Sequence, residues 1–144
     1  MPVLGIASDH GGFELKTVLK KALEEWGVAY EDLGCFSIQS CDYPDIAHQL
    51  AEAIESGRFE SGVLVCGTGI GVSMAANRHR GVRAALCTDP YMARMARQHN
   101  NANLLCLGGR VVGDGLGRDI LRAFLDARFE GGRHERRVAK IDPT

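Results

Sequence analysis

Several features are missing from this 144-residue chain, and each absence closes a class of function. No apolar run approaches the ~20 residues that a membrane span needs. The start, Met1-Pro2-Val3-Leu4, lacks the basic and then long apolar stretch of a secretory signal. A net charge of −1 leaves no basic surplus for a nucleic-acid backbone. The expectation is a cytoplasmic protein with no nucleic-acid and no membrane partner. No Cys-x-x-Cys or His-x-x-x-His pair occurs, so the spacing offers no metal site. The five cysteines are odd in number and irregularly placed, which reads as reduced thiols rather than a disulfide framework. No internal repeat or low-complexity segment breaks the chain.

What is present suits one globular domain over residues 1–144. Hydrophobic content is 45% and charged content 24%. A chain this long buries roughly 70% of its unfolded surface. Apolar segments at Val3–Ser8, Val28–Leu33, Gly62–Val65, Arg83–Cys87 and Ala102–Leu107 read as strands. Helical periodicities separate them: Leu15, Val18, Leu19, Ala22, Leu23 and Trp26; then Ile46, Ala47, Leu50, Ala51 and Ile54; then Met92, Met95 and Ala96; then Leu116, Ile120, Leu121, Phe124 and Leu125. Strands alternating with helices predict a five-stranded parallel sheet in a three-layer α/β/α, Rossmann-like domain. Such sheets gather ligands at the carboxyl ends of their strands.

The densest chemistry lies at one of those ends. Cys66-Gly67-Thr68-Gly69-Ile70-Gly71 follows the Gly62–Val65 strand and opens a helix. Glycines let backbone N–H groups converge, and a helix start adds partial positive charge, so the loop suits an anion or an oxygen that becomes one. It lacks the Gly-Lys-Ser/Thr ending of a nucleoside-triphosphate loop. It is nearer to a dinucleotide fingerprint, with Asp89 about twenty residues on, but the third glycine position is Val72 and Cys66 would crowd the mouth.

A second strand–turn–helix unit carries Asp9-His10-Gly11-Gly12 at its mouth. Asp9 is read either as a helix cap or as a ligand contact, and His10 as solvated or as part of the site. The loop of residues 34–43, with Cys35, Cys41 and Tyr43, leaves another strand end. Cys87 reads as a small core residue. His99 reads as a buried structural histidine or as a partly open one at the polar helix exit Gln98-His99-Asn100. In the tail, Arg133 and Arg137 would lie one helical turn apart and could grip one anion, or simply be solvated. With a thiol, imidazoles, amides and arginines but no metal ligands or cofactor loop, proton abstraction beside a carbonyl is the chemistry that fits.

The set Ser8-Asp9-His10-Gly11-Gly12, Tyr43-Pro44-Asp45, Cys66-Gly67-Thr68-Gly69-Ile70-Gly71, Arg97-Gln98-His99-Asn100 and Gly131-Gly132-Arg133-His134 through Arg137-Val138 resembles the type B ribose-5-phosphate isomerases. Relatives of that family act on galactose 6-phosphate and allose 6-phosphate. The resemblance covers nearly the whole chain. It implies that Cys66 moves a proton between C1 and C2, with Thr68 beside it. It further implies that the amides of Gly67, Gly69, Ile70 and Gly71 hold the enediolate, and that His99 opens the furanose ring. Asp9, Tyr43 and Asn100 would contact the sugar, while His10, Arg110, Arg133 and Arg137 would hold the phosphate.

With no ligand cluster and no cofactor loop in the sequence, no cofactor and no metal is expected; the resemblance further implies that the reaction belongs to the pentose phosphate pathway. The protein would be a homodimer, or a tetramer, with shared sites and with residues 128–144 docking on a partner. An isomerase of a six-carbon or four-carbon sugar phosphate, or a binding module without chemistry, are the alternatives. Because the tail is short, polar and basic, it is not expected to fold back as a helix on its own domain.

Overall fold

In the computed structural model, which describes residues 2–143, the strands form one all-parallel sheet in the order β2-β1-β3-β5-β4. The strands are β1 (Leu4–Ser8), β2 (Tyr30–Asp32), β3 (Gly62–Cys66), β4 (Ala84–Leu86) and β5 (Leu104–Gly108). The helices are α1 (Phe13–Glu25), α2 (Tyr43–Glu55), α3 (Ile70–Ala76), α4 (Pro90–Gln98), α5 (Asp114–Asp126) and α6 (Arg133–Ala139). The five-stranded Rossmann-like expectation is met. β1, β3 and β5 are buried along their whole length, as the centre of a parallel sheet covered on both faces must be.

Side chains alternate across the pleat and feed two cores. Leu4, Ile6, Val63, Val65, Leu105 and Leu107 pack against α1, α4 and α5. Ala7, Leu64, Cys66, Leu104 and Cys106 face α2 and α3. Among the described residues, no helix is long and apolar enough to cross a membrane.

The chain leaves β1 toward β2 and returns to β3 on the other side of β1, so the connections diverge between β1 and β3. That divergence leaves a crevice at the carboxyl ends of these two strands. The glycine turns predicted to carry chemistry lie on its two sides. At the β4 edge, Asn77 mimics a neighbouring strand: its amide donates to Ala84 O at 2.9 Å and accepts from Ala84 N at 2.8 Å. At the other edge, buried Lys16 pairs with Asp32 at 2.8 Å and donates to the Cys35 carbonyl, anchoring the turn after β2.

Four details differ from the sequence reading. α3 begins at Ile70, inside the glycine-rich stretch, because Gly69 takes φ +81° and turns the chain sharply into the helix. α4 buries Ala93 and Ala96, while Met92 is exposed, because the helix packs closely against α5 through its small residues. Cys35 and Cys41 are joined as a disulfide, which leaves Cys66, Cys87 and Cys106 as free thiols. An odd count conceals one bridged pair among three unpaired residues. The tail, last, folds on its own chain as α6: Glu130 N–H donates to Gln98 O at 3.0 Å, and Arg80 and Gly81 bond Pro143 and Asp142. Those contacts supply what the short helix could not supply by itself.

Candidate active site

The Cys66 thiol lies at the carboxyl end of β3, on the face covered by α2 and α3, and is buried. The Gly69 N–H donates to Sγ at 3.1 Å, so the loop turns a backbone donor onto the sulfur. The Ile70 N–H donates to Thr68 Oγ1 at 3.1 Å, which fixes that hydroxyl beside the loop. The other two free thiols have no such setting. Burial, with a smaller contribution from Asp89, pushes Cys87 up to about 12. Burial also pushes Cys106 far above the ordinary thiol range. Both are held as neutral core groups.

Two further turns close around this loop. The Gly109 N–H donates to Cys66 O at 2.8 Å and the Arg110 N–H to Gly67 O at 3.0 Å, so the turn after β5 is zipped onto the turn after β3. This places the Arg110 guanidinium over Gly67. On the β1 side, buried Asp9 accepts from Gly12 N at 3.1 Å. Asp9 is therefore a cap, and its position also lines the crevice. The Cys41 N–H donates to His10 Nδ1 at 3.2 Å. That bond makes Nδ1 the acceptor and leaves Nε2 as the ring's N–H donor. His10, Gly11, Glu14, Ile38, Gly109 and Arg110 line one cavity of about 270 Å³. The Tyr43 ring lies against Gly71 at the start of α3.

Asp9, His10, Tyr43, Cys66, Thr68, Gly67, Gly69, Ile70, Gly71 and Arg110 thus converge at the carboxyl edge of the sheet. His99, Asn100, Arg133 and Arg137 do not join them. α4 runs back from the carboxyl end of β4, and the Asn103 N–H donates to Arg83 O at 3.0 Å just before β4 begins. His99 therefore sits at the amino edge. The five residues of β5 separate it from the Cys66 level by roughly 15 Å. His99, Asn100, His134, Arg137, Val138 and Ile141 line a separate cavity of about 270 Å³ there. One chain places the two groups of residues at opposite ends of the fold.

Two features escaped the sequence reading. His99, Glu130 and His134 form a tertiary cluster whose ligand atoms lie within 4.8 Å of one another. The two rings are stacked, with planes 12° from parallel and centroids 4.3 Å apart. Imidazole lone pairs lie in the ring plane, so a metal bound by one stacked ring falls outside the plane of the other, and the set is poorly shaped for tetrahedral zinc. His48, Nδ1 to His79 Nε2 at 2.7 Å, and Glu55, 2.5 Å from His79 Nδ1, form a second polar chain between α2 and the turn after α3. His48 is thus half-buried and bonded, not a free surface histidine.

Comparison with known proteins identifies the family and the fold. Residues 4–141 match the Ribose/Galactose Isomerase family. Ribose-5-phosphate isomerase B of Escherichia coli (strain K12) is 45% identical over 141 residues, covering 98% of this chain and 95% of that protein. The crystal structure of a ribose 5-phosphate isomerase from Thermotoga maritima superposes with a TM-score of 0.96 at 52% identity, covering 99% of both chains. Ribose-5-phosphate isomerase B from Mycoplasma genitalium, solved with bound ribulose-5-phosphate, gives a TM-score of 0.91 at 45% identity, covering 96% of this chain and 93% of that one.

Proposed function

This chain belongs to the ribose/galactose isomerase family and is an aldose–ketose isomerase of sugar phosphates; from that premise we propose that it interconverts ribose 5-phosphate and ribulose 5-phosphate by proton transfer through an enediolate. The observation that carries the reading is the seating of Cys66. Among the described residues its sulfur is the one free thiol at the strand-end crevice, with a backbone donor at 3.1 Å and a cavity lined by His10 and Arg110 on the adjoining turns.

In this reading His10 and Arg110 bind the phosphate, which fixes the sugar's far end. Asp9 and Tyr43 contact its hydroxyls. The Cys66 thiolate removes the C2 proton of the open-chain aldose, electrons move into the carbonyl, and O1 becomes an enediolate oxygen. The loop amides of Gly67 and Gly71 carry that charge, while those of Gly69 and Ile70 hold the Cys66 sulfur and the Thr68 hydroxyl in place. The proton returns to C1, with Thr68 Oγ1 positioned to move a proton between the two oxygens, and the ketose leaves. The cycle is balanced in protons and electrons, and its base, donors and phosphate grips all come from protein groups.

His99, Asn100, Arg133 and Arg137 act in a neighbouring subunit's site. Topology supports this, because within one chain they lie at the opposite edge of the sheet from Cys66. Exposed apolar side chains next to the loop, Tyr43, Ile70 and Met74, supply a surface for a second copy. In this arrangement α6 folds on its own chain and still presents its arginines to the partner.

The identity of the sugar is tested by isomerisation of a panel of four-, five- and six-carbon aldose phosphates. The highest kcat/KM is expected for ribose 5-phosphate. A higher value for galactose 6-phosphate, allose 6-phosphate or erythrose 4-phosphate would reassign the substrate, and no turnover of any of them would make the protein a binding module.

A further inference from the structure

The pair His99 and His134 is built more elaborately than packing requires. His134 is 7% exposed, yet its Nε2 has no hydrogen-bond partner among the described residues. The ring lies flat under His99, 4.3 Å between centroids. The Glu130 carboxylate reaches toward both, 3.8 Å from His99 Nε2 and 3.6 Å from His134 Nε2. Backbone bonds fix the arrangement: Glu130 N–H to Gln98 O, and His134 N–H to Gly131 O.

We propose that His134 is a positioning residue for ring opening, its stacked imidazole holding the exposed His99 ring in the one plane that reaches the ring oxygen of a furanose bound in the neighbouring site. The inference rests on the assignment of His99 as the ring-opening acid. In that step the C1–O4 bond breaks, O4 takes a proton from the His99 imidazolium, and the O1 hydroxyl gives one up to solvent. No proton is consumed overall. His99, half-exposed at a helix end, would otherwise rotate about its side-chain bonds. The flat surface of His134 removes that freedom before substrate arrives.

The charge pattern agrees. Burial, then the neighbouring His99 and Arg133, holds His134 below the ordinary histidine range, so its ring stays neutral in the stack. Glu130 is the anion that faces both rings, and Arg133 and Arg137 are the cations alongside.

The experiment compares two reactions of one enzyme. Conversion of ribose 5-phosphate, which is largely cyclic in solution, needs ring opening. Exchange of the C1 hydrogen of ribulose 5-phosphate with D2O, followed by NMR, needs Cys66 but no ring opening, because that ketose has no free O5 with which to form a furanose. His134→Ala is expected to lower kcat for ribose 5-phosphate by about tenfold to a hundredfold while exchange changes less than about threefold. His134→Phe, which keeps a flat ring, is expected to recover most of the loss.

Equal losses in both reactions, or a His134→Phe variant as slow as His134→Ala, would overturn the proposal. Should His134→Ala fail to fold, His134→Leu takes its place, since it keeps volume without a flat ring. His99→Asn, run alongside, separates the two readings. Full ribose turnover in that variant would remove His99 from the reaction, and the role of His134 with it. Ribose turnover lost in His99→Asn but intact in His134→Ala would leave His99 in place and refute His134 alone.

Discussion

At the scale of single residues, position separates three chemically identical thiols. Cys87 and Cys106 are neutral filler, and only Cys66 meets a donor and a crevice. Cys66→Ala is expected to lower kcat by at least about a hundredfold, the usual share of a positioned base, with the fold unchanged by circular dichroism. Activity within tenfold of wild type would move the base to a carboxylate such as Asp9.

The Lys16–Asp32 pair acts on stability instead. Burial alone would raise Asp32, but hydrogen bonds from Lys16, Gly34 N–H and Lys20 outweigh it and hold its carboxyl below the usual range. Burial lowers Lys16, and its bond to Asp32 only partly restores it. A depressed carboxyl contributes stability that is present above its unfolded pKa, ~3.9, and is lost as pH falls through the lower folded value. Asp32→Asn strands a buried ammonium and should cost about 3 kcal/mol at pH 7. The gap between wild type and variant in urea midpoint should narrow as pH falls from about 5 to about 2. A gap that stays constant with pH would refute the ionic origin.

At the scale of elements, the site is a set of turns pressed against each other, and two glycines within them predict opposite outcomes. A Cβ on Gly12 would overlap the backbone carbonyl of Val65, which the sheet holds fixed. Gly12→Ala must therefore move the Asp9–Gly12 turn away from Cys66, at a cost of roughly 1–3 kcal/mol and with loss of activity. A Cβ on Gly71 meets the Tyr43 ring instead, with Cζ at 2.8 Å. That ring is 43% exposed and can swing outward. Gly71→Ala is expected to keep its thermal midpoint within a few degrees while KM for the sugar phosphate rises severalfold. Similar destabilisation in both variants, by thermal melts, would show that Tyr43 is not free to yield.

At the scale of the whole molecule, the proposal that the His99 group serves a neighbouring subunit's site requires assembly to bridge the roughly 15 Å to the Cys66 group. Cys66→Ala and Arg137→Ala proteins, assayed well below KM where each is nearly inactive, test this when unfolded, mixed and refolded together. If sites are shared, a mixed dimer holds one site with both lesions and one with neither. Random pairing then returns about a quarter of wild-type activity. No recovery, with mixed dimers shown by mass spectrometry, would place both residues in one chain's site.

The alternation of apolar strands with periodic helices sufficed to read the parallel sheet, because burial on both faces demands continuous apolar strands. Local order also made the loop from Cys66 to Gly71 legible, since a glycine turn between a strand and a helix carries its own geometry. The pairing of Cys35 with Cys41, the folding of α6 onto α4 and the stack of His99 on His134 left no such mark. Each joins residues by contacts whose partners are chosen in space, with no periodicity to announce them. The placement of the His99 group and the Cys66 group at opposite edges of the sheet was equally silent, because the direction in which α4 returns, and so which edge receives His99, is a property of the assembled layers.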